Sequence, residues 1–133
     1  MQHAPTELER KYISTMSDAQ RLEYFLTRTM ESEEVWGLVD NEGWLLQENN
    51  GRTILPIWPY RQFVEDCIDS DSVRAGSVSL EHFVDNILHS LVAGDIDLEI
   101  WPAPEHKGEV VSAEVLLEMF TSLFESSEYR LEG

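Results

Sequence analysis

The tripeptide Ile-Trp-Pro occurs twice in the chain, as Ile57–Trp58–Pro59 and as Ile100–Trp101–Pro102. An apolar run precedes each copy and a helical pattern follows, at once after the first and after a gap following the second. Each copy reads as a buried strand that ends on a large aromatic. Proline then stops the ladder, because it has no N–H, and its fixed φ suits a helix start or an exit loop. The indole fills core at the strand end. The repeat therefore commits the chain to two related strand exits in one small domain. It specifies an architecture and no chemistry.

A chain of 133 residues fits one domain with a radius of gyration of roughly 14 Å. Such a domain buries enough surface to need no staples. A lone cysteine, Cys67, excludes an internal disulfide and suits a reducing compartment. No apolar run approaches the ~18 residues of a membrane span. The opening Met1-Gln2-His3-Ala4-Pro5-Thr6-Glu7 lacks the basic start and apolar stretch of a signal peptide. The expected location is the cytoplasm.

Charge is the unusual quantity. Twenty-six acids against nine bases give a net charge of −17, well beyond the magnitude of about 2–8 that suits a small soluble domain. Nucleic acid and anionic membranes are excluded as direct ligands. A basic protein partner fits, and so does a role as a nucleic-acid mimic. The plainer alternative is solubility, since the acids are scattered and a screening length of about 8 Å damps the average field at physiological salt.

Periodicity supplies the order of elements. Residues 1–16 form an N-terminal extension with a short helix over 6–14. Ser17 and Gln20 make a capping box for a helix running to about Ser32, with Leu22, Phe25, Leu26, Thr29 and Met30 inward. A three-strand meander follows over 35–40, 43–48 and 52–58, with turns at Asn41-Glu42-Gly43 and Asn49-Asn50-Gly51. Pro56 places its strand at an edge or a strand end. Pro59 opens a helix whose inner face is Tyr60, Phe63, Val64, Cys67 and Ile68. A helix over 79–93 carries the stripe Leu80, Phe83, Val84, Ile87, Leu88, Leu91 and Val92, and Gly94 supplies its left-handed stop. An alternating strand over 95–101, a loop, and a short strand over 108–111 come next. Ser112 caps a last helix with Leu116, Met119, Phe120, Leu123 and Phe124 inward. Residues 17–125 are thus one α+β domain, a mostly antiparallel sheet packed by about four helices, and 126–133 form a mobile tail.

Candidate chemistry is sparse. Cys67 lies on an apolar helix face with no base beside it, the setting of a structural thiol. His82, Asp85 and His89 fall along one side of a helix. Such a row could hold a metal or pair a general base, yet it lies off the apolar stripe, where polar residues belong anyway. Asp95, Asp97 and Glu99 share one strand face about 6.6 Å apart. With Asp69 or Asp71 they could meet a hard cation, but no calcium-loop glycine or bidentate acid accompanies them, and solubilising charge is the simpler reading. There is no phosphate loop, nucleophile elbow or zinc spacing. No cofactor, metal ligand or catalytic residue is assigned. Of the four tryptophans, Trp58 and Trp101 read as core. Trp36 and Trp44 flank a tight turn, where they could face each other and anchor a partner.

The stretches Val35-Trp36-Gly37-Leu38, Gly43-Trp44, Leu55-Pro56-Ile57-Trp58-Pro59 and Val110-Val111-Ser112 resemble a widespread bacterial family of unknown function, the one numbered 2750, from about Asp18 to Phe124. The resemblance implies a small cytosolic bacterial protein and carries no activity, cofactor or catalytic residue onto this chain. The element order is also similar to the enhanced-serine-sensitivity (SseB-type) domain, which implies an interaction module. The expectation is a non-catalytic domain that binds a basic protein through Trp36, Trp44, Asp95, Asp97 and Glu99. The alternatives are a metal-dependent or hydrolytic enzyme using His82, Asp85 and His89, and an immunity or anti-toxin protein that blocks a basic partner.

Overall fold

The computed structural model describes residues 7–132 apart from 14, 50, 105 and 106. In chain order the elements are α1 (Glu7–Ile13), α2 (Asp18–Ser32), β1 (Glu34–Asp40), β2 (Gly43–Trp44), β3 (Gln47–Asn49), β4 (Arg52–Ile57) and α3 (Arg61–Glu65). Next come β5 (Arg74–Ser79) and a continuous helix over 80–93. This helix consists of α4 (Leu80–His82), a π-helical turn (Phe83–Ile87) and α5 (Leu88–Ala93). The chain ends in β6 (Asp97–Ile100), β7 (Glu109–Ser112) and α6 (Ala113–Glu132). The fold is α+β, as the pattern of periods predicts.

The caps form as the sequence specifies. Ser17 Oγ accepts from Gln20 N at 3.2 Å while Ser17 N donates to Gln20 Oε1 at 2.8 Å. Ser79 Oγ accepts from His82 N, and Ser112 Oγ from Val115 N, at the starts of their helices. Phe120 on α6 is the hub of the helical layer. Phe25 of α2 and Phe83 of the π turn meet its ring edge-on, each with centroids 6.4 Å away.

The meander differs from expectation. Its middle strand breaks at Leu45–Leu46, so β2 pairs with β1 while β3 pairs with β4. Two sheets result, ordered β2-β1-β5 and β3-β4-β6-β7. They are stitched by one bridge in which Trp36 and Trp58 exchange both backbone bonds, at 3.1 and 2.9 Å. Four strand pairs are antiparallel, and one, β4 with β6, is parallel. Strand β5 is absent from the sequence expectation, because Ala75, Gly76 and Ser77 are weak strand formers.

Pro56 does not sit at an edge, since β4 lies between β3 and β6. Strand β3 reaches only as far as Ile54, and Trp58 turns its backbone to β1. By alternation Pro56 falls between those two partners, where a missing N–H costs no ladder bond.

Gly94 is not the left-handed residue of its helix end. Its φ is −89°, and Asp95 takes φ 55° instead. Ile96 N donates to Leu91 O at 2.9 Å and Asp95 N to Val92 O at 3.2 Å, which is the Schellman pattern with aspartate at its usual glycine position. The π turn is likewise invisible to α-periodicity. It adds a residue to the turn, and Val92 at the end of the apolar stripe is left 38% exposed. Helix α6 continues past the expected boundary near Ser126 to Glu132. No described helix is long and apolar enough to cross a membrane.

Candidate functional site

The parallel pairing brings the two Ile-Trp-Pro copies side by side, with Ile57 in register with Ile100. Their tryptophans are both 1% exposed but do different work. Trp58 continues its strand into the bridge with Trp36, and its indole N–H donates to Pro102 O at 2.7 Å. Trp101 turns back, with φ 57°, an uncommon backbone conformation for a bulky residue. Its N–H still bonds Ile57 O at 2.8 Å, and its ring packs against Phe63 and Tyr24, with centroids 4.9 and 5.3 Å away.

Arg21 completes this corner. Its guanidinium lies over the Trp101 ring, 4.3 Å from the centroid, and donates to the Trp101 carbonyl at 2.7 Å. The side chain is 7% exposed and its Nε has no hydrogen-bond partner. Burial lowers the guanidinium pKa from its ordinary value, while Asp18 nearby opposes the shift. The corner holds the backbone of the strained turn. Sequence reasoning passed over Arg21, although its position is readable. Residues 21, 25 and 29 share one face of α2, and Phe25 and Thr29 are both fully buried.

Cys67 sits at the edge of the same corner, half-buried, its Sγ 3.6 Å from Pro102 O. Burial pushes the thiol pKa up, with Asp66 and Glu99 adding to the shift. It is a protonated, packed thiol.

The residues singled out from sequence do not come together. Trp44 is directly opposite Val39, on the face of β1 that also carries Gly37. Its ring lies where a Cβ on Gly37 would sit, with Cζ3 only 2.7 Å from that position. Trp36 points to the other face and is 7% exposed, so the two indoles do not face each other. The acidic strand is not an open row either. Asp97 pairs with Arg52 at 2.9 Å, and the same guanidinium is 3.8 Å from Asp95. Glu99 is 8% exposed and accepts from Gly108 N at 2.9 Å. Arg52 thus covers Asp97, and the chain returning at Gly108 covers Glu99. His82, Asp85 and His89 are all exposed, and His82 Nδ1 bonds the Asn86 amide at 3.1 Å rather than Asp85. Among the described residues no group of three His, Cys, Asp or Glu side chains could hold a metal.

Among the described residues, two clefts flank α2. Glu23, Thr27 and Glu31 are exposed and spaced one turn apart, forming a ridge. On one flank, toward α1, is a cleft of about 400 Å³ that includes Met16, Tyr24 and Arg28. On the other, toward α6, is a cleft of about 470 Å³ floored by Leu26, Met30 and Leu123, with Glu23 and Glu31 at its rim. The sequence stripe places Leu26, Met30 and Leu123 inward, and all three are half-buried. Periodicity identifies the apolar face of a helix but not where two such faces part.

These features define a small α+β domain built on two short sheets joined at a tryptophan bridge, with paired clefts along one helix. The pattern of the family described as a protein of unknown function (DUF2750) matches residues 22–120, and the chain belongs to that family. No curated protein matches it.

Proposed function

We propose that this protein is a non-catalytic interaction domain that takes a basic, amphipathic helix of a partner protein into the cleft between α2 and α6. The observation that carries the reading is the make-up of that cleft, an apolar floor of Leu26, Met30 and Leu123 under the carboxylates of Glu23 and Glu31. A helix laid in such a groove buries its apolar face, the mode of many helix-in-groove complexes. Glu23 and Glu31 are eight residues apart, about 12 Å along the axis, so Lys or Arg side chains two turns apart on the partner meet both. The net charge of −17 attracts the same partner from a distance. This reading keeps the basic partner expected from the sequence and moves the contact away from Trp36 and Glu99, which are buried.

A labelled Leu/Lys amphipathic helical peptide tests it by fluorescence anisotropy. Wild type is expected to bind it, with affinity falling as salt rises. Leu123→Asp should weaken binding about tenfold, the scale of one lost apolar anchor. Glu23→Lys with Glu31→Lys should do likewise at low salt. Asp69→Lys with Asp71→Lys makes the same charge change at residues that do not line the cleft. If that control weakened binding as much as the cleft variants, the peptide would be reading net charge alone and the cleft assignment would fail.

A further inference from the structure

Among the described residues, the β2-β1-β5 sheet ends in a strand, β5, that no other strand covers. Its backbone directions follow from the bonds on the far side of β1. Trp36 exchanges both of its bonds with Trp58, and Leu38 O accepts from Leu45 N at 2.8 Å. The even residues of β1 therefore face away from β5, and Val35, Gly37 and Val39 face toward it. Their register partners are Val78, Gly76 and Arg74. Those three residues of β5 use their peptide groups on β1. By alternation, Ala75 and Ser77 turn their N–H and C=O groups outward.

An edge of this kind is a template for another strand, and proteins usually blunt it with charge, proline, a bulge or brevity. The other edges are blunted in this way. Strand β2 spans Gly43–Trp44 only, β3 carries Glu48, and β7 carries Glu109. Strand β5 spans Arg74–Ser79, the longest edge of the described residues, with no proline and no acid. Residues 72–80 contain one base and no acid, in a chain with 26 acids. Across the sheet, the Glu34 carboxylate accepts from Ser77 Oγ at 3.0 Å.

We infer that β5 is a self-pairing edge, along which two copies of this chain join antiparallel about a two-fold axis near Gly76. Ala75 of each copy then lies opposite Ser77 of the other, and each such pair exchanges both backbone bonds. The two three-stranded sheets become one continuous sheet. A second copy is the occupant because a two-fold contact places identical surfaces together, and an acid-free strand is where two chains of charge −17 repel least. The contact is a single short ladder, well below the ~1,600 Å² of a standard interface, so association is weak and depends on concentration.

Sedimentation equilibrium over a roughly hundredfold concentration range, at about 0.05 M and about 0.5 M salt, tests the proposal on the whole chain. Dimer is expected to increase with concentration and with salt, because salt screens the repulsion. This is the reverse of the salt dependence expected for the basic peptide, so the two assignments stand or fall separately. Ser77→Pro removes an outward N–H that β1 does not use, and is expected to leave a folded monomer under all conditions. Amide hydrogen exchange on wild type supplies a readout free of mutation. Ala75 and Ser77 should gain protection with concentration, while Gly76 and Val78 are protected throughout. A wild type that stays monomeric, a folded Ser77→Pro that still dimerises, or Ala75 and Ser77 amides indifferent to concentration would each overturn the inference.

Discussion

Asp95 occupies a position that glycine normally holds. At φ 55° it closes the Schellman turn after α5 and also lies 3.8 Å from Arg52. Aspartate tolerates the left-handed region better than most residues, because its short side chain bonds locally, but it still costs more there than glycine. Its ion pair is exposed and contributes little. Replacement by glycine removes a left-handed cost of roughly 1–2 kcal/mol, part of which glycine's greater entropy loss on folding offsets. A net gain of about 0.5–1 kcal/mol is therefore expected, raising Tm by a few degrees for a chain this size. Asp95→Val should do the opposite, because a branched Cβ fits this region worst. Differential scanning calorimetry of the three proteins orders them, and a glycine variant less stable than wild type would show that the Arg52–Asp95 pair outweighs the cost of the left-handed backbone. Trp101 at φ 57° offers no such relief, since glycine would remove the indole that Arg21, Tyr24 and Phe63 pack against.

The elements written most clearly in the sequence are those whose capping chemistry and period agree. Helix α2 shows this best, with its Ser17–Gln20 box and its end at Ser32. Strand β5 is hidden because its pairing with β1 depends on small residues rather than on strand formers. Gly37 and Gly76 are register partners, and the space above Gly37 is taken by the Trp44 ring. The burial of Glu99 is hidden for another reason. Alternation shows which side of a strand a residue faces, but not whether a later loop returns to cover that side. The return is made by Gly108, whose N–H holds the Glu99 carboxylate. A Cβ at 108 would lie inside van der Waals contact of the Ile100 carbonyl, a backbone atom fixed in the β6–β7 ladder. Gly108→Ala should accordingly cost about 2–3 kcal/mol, the upper range for overpacking. Urea denaturation with an unchanged m-value checks this. A loss below about 0.5 kcal/mol, ordinary for a surface site, would mean that the loop does not hold this close approach.

At the scale of the whole molecule, the decisive balance is between self-repulsion and the surface ion pairs. Arg28–Glu31, Arg52–Asp97 and Arg61–Glu65 pair within 3.2 Å, and each has at least one exposed partner. Such pairs contribute about 0–1 kcal/mol each. Against them stand 17 net negative charges, whose mutual repulsion favours any state that spreads them apart. Unfolding spreads them, so screening should stabilise the native state more than it weakens the pairs. The expected result is a Tm that rises between about 0.02 M and 0.3 M sodium chloride and then levels off as the Debye length falls to a few ångströms. A flat or falling Tm would show that the Arg52 cluster and its like outweigh the net charge. The same repulsion links stability to recognition. A basic helix bound along α2 neutralises part of it, and binding to the native state alone raises Tm by mass action. The Leu/Lys peptide should then raise Tm most at low salt, where the free protein is least stable, and the increment should shrink as salt is added. An increment that did not change with salt would assign the binding energy to Leu26, Met30 and Leu123 and leave the charge as an agent of solubility.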